Sequence, residues 1–186
     1  MNDKDFKLQE TKIALSEFLQ QTVSKSEDEI NQLSSKFLNQ IQEKLSAKNE
    51  YLDLFTHLDD VTHNQPIYIK GVSFISLCEH HLMPFFGTVN IAVLPKDKIA
   101  GISKFADLVS NLSNDLTLQE TMTKNISLII DEHLGADGVF VQIKAKHLCS
   151  DLLNSKNSVS EVITTYSTGV YDLDYSLRNE ATINFS

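Results

Sequence analysis

The fold of this chain is decided by the stretch Val139-Phe140-Val141-Gln142-Ile143-Lys144-Ala145-Lys146-His147-Leu148-Cys149. Its odd-numbered residues run through Val139, Val141, Ile143 and Ala145 to His147 and Cys149. Side chains two residues apart lie on the same face of a β-strand. The stretch therefore predicts a strand with one apolar face, and that face carries His147 and Cys149 at its far end.

Other strands and helices can be placed outward from this stretch. Strands are predicted at Ile67–Ile69, at Thr88–Leu94 before Pro95, and at Val162–Tyr171. Helical spacing extends from Gly101 to about Leu112 and from Leu118 to Leu134; Thr117-x-x-Glu120 has the form of a capping box, and Gly135 follows the second helix. The order of strands, two helices and strands predicts an α+β fold with an antiparallel sheet.

The N-terminal residues 1–50 have helical spacing throughout, with a polar break from Ser24 to Asp28. Ser26-x-x-Glu29 is a second sequence of capping-box form, at the start of the helix after that break. Residues 51–67 have no clear pattern. We therefore predict an N-terminal helical extension over residues 1–66, which serves packing or oligomerisation, and a catalytic α+β domain over residues 67–186.

Composition narrows the class of protein. The 186 residues suit one domain with an extension, and 41% hydrophobic with 22% charged residues is typical of a globular protein. The net charge of −9 argues against a nucleic-acid partner. The polar opening and the lack of a long apolar run predict a cytoplasmic protein with no signal peptide and no membrane partner. Fifteen of the sixteen basic residues are lysines, and Arg178 is the single arginine.

Both cysteines of the chain lie beside histidines. Cys78-Glu79-His80-His81 can bring a thiolate and an imidazole together from one turn of chain, and Cys149 could add a third ligand. Such a set suits Zn²⁺ and leaves a fourth position open for chemistry. The alternative is that the cysteines are small buried apolar residues and that the His147–Cys149 face is core packing. Spacing alone leaves both interpretations open.

A family resemblance adds to this pattern. It is carried by Ser76-Leu77-Cys78-Glu79-His80-His81-Leu82-Met83-Pro84-Phe85-Phe86-Gly87, by Gly101-Ile102-Ser103-Lys104, by Leu118-Gln119-Glu120, and by Gly138-Val139 leading to His147-Leu148-Cys149. Together these segments resemble GTP cyclohydrolase I. The resemblance implies a tunnelling fold, with a four-stranded antiparallel sheet and two helices packed on one face. It also implies a toroidal homo-oligomer with active sites between subunits.

The resemblance implies a reaction and a role for each matching residue. The family opens the imidazole ring of GTP, releases formate, rearranges the ribose and forms 7,8-dihydroneopterin triphosphate. Matching residues are the zinc ligands Cys78, His81 and Cys149; the catalytic histidines His80 and His147; Gln119 and Glu120 for the guanine; and Ser103 and Lys104 for the triphosphate and ribose. A carboxylate such as Glu120 suits guanine because it accepts hydrogen bonds from N1–H and the 2-amino group. The alternative for Glu120 is the capping box with Thr117.

The arginines with which the family binds the triphosphate are not retained at the matching positions of this chain. Asp107, Thr121 and Leu153 stand where the family has arginines, Asn154 replaces a glycine, and Ser150 replaces a methionine. An aspartate near a triphosphate is repulsive, by about 1 kcal/mol per charge pair at 4 Å in water.

Three functions fit this mixture of retained and lost residues. The first is a GTP cyclohydrolase I in which Lys104, Lys124, Lys144, Lys146 or Lys156 replaces the arginines. The second is a zinc hydrolase acting on a purine- or pterin-like substrate with fewer or no phosphates. The third is a non-catalytic, zinc-stabilised binding or assembly subunit. The retained His80, His147 and Glu120 argue against the third, because a structural zinc ion does not require them.

Overall fold

The structure, a computed structural model, describes residues 3–45, 55, 58–60, 63–153 and 159–186. The chain divides into two compact units, Met1–Ser46 and Ala47–Ser186. The sequence places the division after residue 66, and the structure separates its units after residue 46. Within the described ranges, no helix is long and apolar enough to cross a membrane.

The first unit is a pair of helices, α1 (Asp3–Thr22) and α2 (Glu27–Leu45). The predicted capping box before α2 is confirmed. The Ser26 N–H donates to Glu29 Oε2 at 3.0 Å, and the Glu29 N–H donates to Ser26 Oγ at 3.4 Å. Between the helices, Ser16 Oγ donates a buried hydrogen bond of 3.0 Å to Ser34 Oγ.

The described residues of the second unit form seven strands and five helices. Its strands are β1 (Leu58–Asp60), β2 (Ile67–Cys78), β3 (Pro84–Leu94), β4 (Lys98–Ala100), β5 (Leu116–Thr117), β6 (Gly138–His147) and β7 (Val162–Ser167). Its helices are α3 (Ile102–Ser113), α4 (Gln119–Leu134), α5 (Leu148–Leu153), α6 (Val170–Leu173) and α7 (Tyr175–Asn184).

The main sheet has the strand order β5-β2-β3-β6-β7. Strands β2, β3, β6 and β7 pair antiparallel, which confirms the predicted four-stranded antiparallel sheet. The short β5 adds a parallel pairing at the outer edge of β2, and β1 pairs with β4 in a separate ribbon. The chain is thus of the α+β class and has the arrangement that the resemblance implies.

Helices α3 and α4 cover one face of the sheet. Their apolar residues, including Leu108 and Ile126, share the main core with Val89 of β3 and Val141 of β6. The alternation predicted along Val139–Ala145 is confirmed, because these residues face that core. The opposite face carries a smaller core, in which residues of α6 and α7 pack on Ala92 and Phe140. The sequence did not predict α7.

Three local predictions were wrong. Strand β6 ends at His147 and α5 begins at Leu148, so Cys149 lies in the first turn of a helix and not on the strand face. Strand β7 ends at Ser167, because Gly169, with φ of 57°, turns the chain into α6. The capping box before α4 is absent: Leu118 is the N-cap residue without a side-chain hydrogen bond, and Thr117 pairs in β5.

Candidate active site

The loop between β2 and β3 presents two of the predicted site histidines. The Cys78 N–H donates to the Met83 carbonyl at 2.9 Å, and the Leu82 N–H donates to the Cys78 carbonyl at 2.8 Å. These bonds close a tight loop in which His80 and His81 are exposed, with ring centroids 6.1 Å apart. Leu82 is held at φ of 54°, a conformation that is strained for a branched side chain. Such strain is often found at functional sites.

Strand pairing brings this loop and the end of β6 to the same end of the sheet. Leu77 of β2 lies opposite Pro84 of β3, and Phe85 of β3 lies opposite His147 of β6. The rings of Phe85 and His147 stack with centroids 4.8 Å apart and planes 8° apart. Cys149 follows within the first turn of α5. The predicted zinc ligands and His147 therefore share one region of the fold.

The donor set suits zinc in its chemistry. Cys78 and Cys149 are both free thiols, and the exposed His81 lies three residues after Cys78. Cys78 is only 5% exposed and packs in the main core, so it also has the buried apolar role that the sequence left open. Among the described residues, no three His, Cys, Asp or Glu side chains are already gathered as a metal site. The zinc ligands stay a prediction.

His147 is held by a buried glutamine at the start of α4. Gln119 is 1% exposed, and its Oε1 lies 2.8 Å from His147 Nε2. The Gln119 Nε2 donates to the Ile143 carbonyl at 3.2 Å, the Val162 carbonyl at 3.0 Å and Thr164 Oγ1 at 3.0 Å. One side chain thus joins α4, β6 and β7 behind the histidine.

The neighbouring Glu120 influences His147 electrostatically. Burial lowers the pKa of His147 below its ordinary value, and the negative charge of Glu120 partly offsets this by raising it. Burial is the larger of the two effects, so the imidazole is mainly neutral near pH 7. A neutral imidazole can accept a proton from a bound substrate.

Glu120 lines an open cleft of about 380 Å³ between α4 and the edge strand β7. The other lining residues are Thr121, Lys124, Thr164, Thr165 and Tyr166. Glu120 is exposed, and the start of α4 has no side-chain cap, so the capping alternative for this carboxylate is not realised. Thr121, which stands where the family has an arginine, lies in the same cleft.

Ser103 and Lys104 lie in the first turn of α3 and are not among the residues that line this cleft. Lys104 Nζ lies 4.0 Å from Asp107 Oδ2, one helical turn further on. Asp107 is the residue that stands at a family arginine position. Asp107 therefore stands in place of a cation of the family, and it also partly neutralises Lys104, the predicted phosphate-binding lysine.

The single arginine has a structural role. Arg178 Nη1 donates to the carbonyls of Tyr171 and Asp172, the latter at 2.8 Å, and its guanidinium lies 5.8 Å from the centre of the Tyr175 ring. Two carbonyls of the short helix α6 are satisfied in this way. Arg178 is thus engaged within its own chain, on α7.

Two functional neighbours were missed from the sequence. Thr123 Oγ1 donates to the Gln119 carbonyl at 2.7 Å and lies 2.6 Å from Thr164 Oγ1, which completes the set of hydrogen bonds around Gln119. The spacing of four residues from Gln119 to Thr123 was a usable signal on a helix. Thr164 gave no signal, because its contact with α4 crosses 45 residues of chain.

The chain is similar to known proteins at the level of family, sequence and structure. The family profile described as GTP cyclohydrolase I matches residues 12–185. The GTP cyclohydrolase 1 of Streptococcus thermophilus (strain CNRZ 1066) is 37% identical over 69% of this chain and 69% of its own length. The GTP cyclohydrolase 1 of Fusobacterium nucleatum is 38% identical over 69% of this chain and 68% of its own length. A solved structure, archaeosine synthase QueF-Like in the apo form, aligns with 59% of this chain and 97% of its own at 14% identity and a TM-score of 0.45.

The profile covers most of the chain and the relatives exceed 30% identity over two thirds of it. The segments matched include the loop of His80 and His81, the Gln119–Glu120 pair and His147. The chain belongs to the GTP cyclohydrolase I family and is an enzyme of that type.

Proposed function

We propose that this enzyme opens the imidazole ring of GTP with the help of zinc, releases formate and forms 7,8-dihydroneopterin triphosphate. The observation that supports this most directly is the grouping of Gln119, Glu120 and His147. The Gln119 amide holds His147 at 2.8 Å, and the Glu120 carboxylate lies near enough to raise the pKa of the same imidazole. A guanine-binding carboxylate and a proton-transferring group are thus neighbours.

Glu120 orients the base. Its carboxylate lines the cleft beside β7 and accepts hydrogen bonds from N1–H and the 2-amino group of guanine. Those two donors distinguish guanine from adenine, whose ring offers an acceptor at N1. Tyr166 and the threonines of β7 form the opposite wall of the cleft. A base bound in this way has its imidazole ring directed to a defined side of the cleft.

His147 moves the proton. Because burial lowers its pKa, the ring is ready to accept a proton near pH 7 and can return it to a purine nitrogen as the ring opens. Stacking on Phe85 and the hydrogen bond to Gln119 hold the ring in one orientation. His80, in the exposed loop beside His81, is the second histidine that we place near the reacting centre.

Cys78, His81 and Cys149 are the residues that would hold zinc. A zinc ion bound there would supply a hydroxide nucleophile near neutral pH. The two thiols and the imidazole belong to the loop after β2 and to the start of α5, which the pairing of β2, β3 and β6 brings to one end of the sheet. We also propose the toroidal homo-oligomer of the family, with active sites between subunits.

A second candidate function is the same ring opening on a purine- or pterin-like substrate with fewer phosphates or none. It is favoured by the ion pair of 4.0 Å between Lys104 and Asp107 and by the use of Arg178 within its own chain. Both groups are partly exposed, so the pair itself is weak. Its effect is to reduce the positive charge available to a triphosphate.

One experiment separates the two candidates. Purified enzyme is given GTP, GDP, GMP and guanosine, and formate release and pterin fluorescence are followed separately. Formate and pterin from GTP support the first candidate. Formate from guanosine or GMP, at rates equal to or above those from GTP, supports the second. Neither product from any of the four substrates would refute both.

Metal analysis tests the zinc proposal on its own. We expect about one zinc per subunit, which Cys149→Ser should lower. Ser150→Ala is the matched control, because Ser150 is the next residue of α5 and its hydroxyl accepts a hydrogen bond from the Val159 N–H. Zinc absent from carefully purified protein, with Cys149→Ser fully active, would contradict the zinc proposal.

A further inference from the structure

Two backbone carbonyls determine which way round the Gln119 amide lies. The Ile143 and Val162 oxygens are 3.2 and 3.0 Å from Nε2 of Gln119. A backbone carbonyl can only accept a hydrogen bond, so the NH₂ group must face this pair. The amide oxygen therefore faces His147, and exchanging the two ends would place an oxygen against two oxygens in a buried site.

The orientation of the amide determines which ring nitrogen of His147 carries a proton. Gln119 Oε1 has no hydrogen and lies 2.8 Å from His147 Nε2. A hydrogen bond at this distance requires the proton to be on Nε2. The neutral ring then has its lone pair on Nδ1. The same bond persists when the ring is charged, because Nε2 carries a proton in both states.

Two threonines fix the rest of the network. Thr123 Oγ1 donates to the Gln119 backbone carbonyl at 2.7 Å, so its hydrogen is already used. Thr164 must then donate across the 2.6 Å separation to Thr123 Oγ1, and its own oxygen accepts from Gln119 Nε2 at 3.0 Å. Both threonine hydroxyls thus donate in one direction, and the two hydrogens of the Gln119 amide are shared among its three acceptors. Gln119 is 1% exposed, so bulk solvent does not reach its amide.

We propose that Gln119 is a positioning residue that holds His147 in the Nε2–H tautomer and presents Nδ1 as the atom that exchanges a proton with the substrate. Both ends of the Gln119 amide bind the protein itself, so Gln119 acts on the substrate through His147. The stacked Phe85 ring fixes the plane of the imidazole, and Gln119 fixes its proton. The role of Nδ1 rests on the proposed function, whereas the tautomer does not.

Nuclear magnetic resonance on the full-length protein labelled with [¹⁵N]histidine tests the tautomer directly. Spectra are recorded without substrate, at a pH where the ring is neutral, and His147 is assigned by the loss of its signals in His147→Asn. We expect a protonated Nε2 and an unprotonated Nδ1. A protonated Nδ1, or rapid averaging between the two nitrogens, would overturn the proposal, even if the enzyme proves inactive on GTP.

A pair of variants tests the role of the amide. Gln119→Met keeps the shape of the side chain and removes its polar atoms, and Gln142→Met is the matched control. Gln142 is also a buried glutamine, 5% exposed, but it lies on the opposite face of β6 and its Oε1 accepts from Asn90 Nδ2 at 3.4 Å. Only Gln119→Met should lose the slowly exchanging Nε2–H signal of His147.

Kinetics separate positioning from direct substrate contact. With the substrate that proves active, we expect Gln119→Met to lower kcat at least about tenfold with KM within about threefold of the wild type. Gln142→Met should leave both constants unchanged. A raised KM with unchanged kcat would instead show that Gln119 contacts the substrate and would refute the proposal. If Gln119→Met does not fold, the wild-type spectrum still decides the tautomer.

Discussion

Gly87 of β3 is the position at which a single methyl group should do most damage near the site. It lies opposite Ala145 of β6, two residues before His147. A Cβ atom at Gly87 would overlap the Lys144 carbonyl oxygen and lie 2.7 Å from Ala145 Cα. All of these neighbours are backbone atoms of β6, which cannot rotate away as a side chain can. Gly87→Ala must therefore push β6 away from β3.

The expected loss of stability follows from this geometry. Overpacking of a rigid site costs typically 1–3 kcal/mol, and each ladder hydrogen bond that opens removes roughly 1 kcal/mol more. We expect Gly87→Ala to lower the free energy of unfolding by about 3 kcal/mol, at the upper end of that range, because the obstructing atoms belong to the sheet. His147 should also shift from Phe85, so activity falls under conditions in which the variant is still folded.

Urea unfolding of the wild type and of Gly87→Ala, with Gly101→Ala as control, measures this loss of stability. Gly101 is the N-cap residue of α3 at φ of −56° and ψ of 142°, and a Cβ there meets nothing within 4 Å. Gly101→Ala restricts the unfolded chain, which raises the free energy of unfolding, and it also removes a favoured cap residue, which lowers it. Because the two effects oppose each other, we expect that free energy to change by no more than about 0.5 kcal/mol. Equal stability losses in both variants, or none in Gly87→Ala, would refute the packing argument.

Three further outcomes follow from charges and buried hydroxyls. Asp107→Asn should raise the affinity for GTP relative to guanosine about fivefold, because one repulsive charge pair is removed and Lys104 is released; calorimetry with Asp97→Asn as a charge-matched control measures this. Burial and the bond to Glu180 raise the pKa of Tyr68 to about 12, so its stabilisation is full below pH 10 and lost as the pH rises toward 12. Tyr68→Phe should therefore lose less stability than the wild type over that interval in urea unfolding. Tyr171→Phe should leave stability unchanged or raise it by up to about 1 kcal/mol in the same assay, because the buried Tyr171 hydroxyl has no hydrogen-bond partner in the described structure.

The sheet could be predicted from the sequence because its central strand has a simple pattern. Val139 to Ala145 alternate toward one core, and a period of two reports which face is buried. It does not report where a strand ends. His147 is the last residue of β6 because Phe85 is opposite it and Pro84 begins β3, and a single sequence contains no record of that pairing. The placement of Cys149 on the strand failed for this reason.

The two sequences of capping-box form likewise show that a local pattern does not reveal tertiary pairing. Ser26 and Glu29 form theirs because the preceding chain is exposed and imposes no other geometry on Ser26. Thr117 has the same spacing to Glu120, but it pairs with Cys78 at the sheet edge and its hydroxyl donates to the Leu118 carbonyl. Tertiary pairing overrode the local signal. Glu120 is exposed in the cleft as a result, which favours a role in binding.

The site residues divide between those readable from sequence and those that depend on the fold. The histidines, cysteines and Glu120 have chemistry that marks them wherever they lie. Gln119 does not, because a glutamine is ordinary until its partners are known. Those partners are two carbonyls of different strands and a threonine, and the threonine is 45 residues away. The proton position on His147 is therefore a property of the sheet and not of the motif.

The positions of the lysines affect how well this enzyme can distinguish substrates that carry different numbers of phosphates. Among the candidate lysines that the structure describes, Lys104 is paired with Asp107 and Lys146 with Asp151 at 3.1 Å, while Lys124 lines the Glu120 cleft. Lys156, with Asn154 and the side chain of Leu153, lies outside the described residues.

Lys124 can attract a phosphate without fixing its geometry, because an ammonium is a point charge and lacks the fork of a guanidinium. A cleft with a carboxylate for the base and a lysine for the anion should be selective for guanine and tolerant of phosphate number. If the second candidate function is correct, the ratio of kcat/KM for GTP to that for GMP should then be close to one. A preference for GTP of a hundredfold or more, which is about 2.7 kcal/mol, would favour the first candidate function and would require cations besides Lys124, either Lys144 of β6 or residues of a neighbouring subunit.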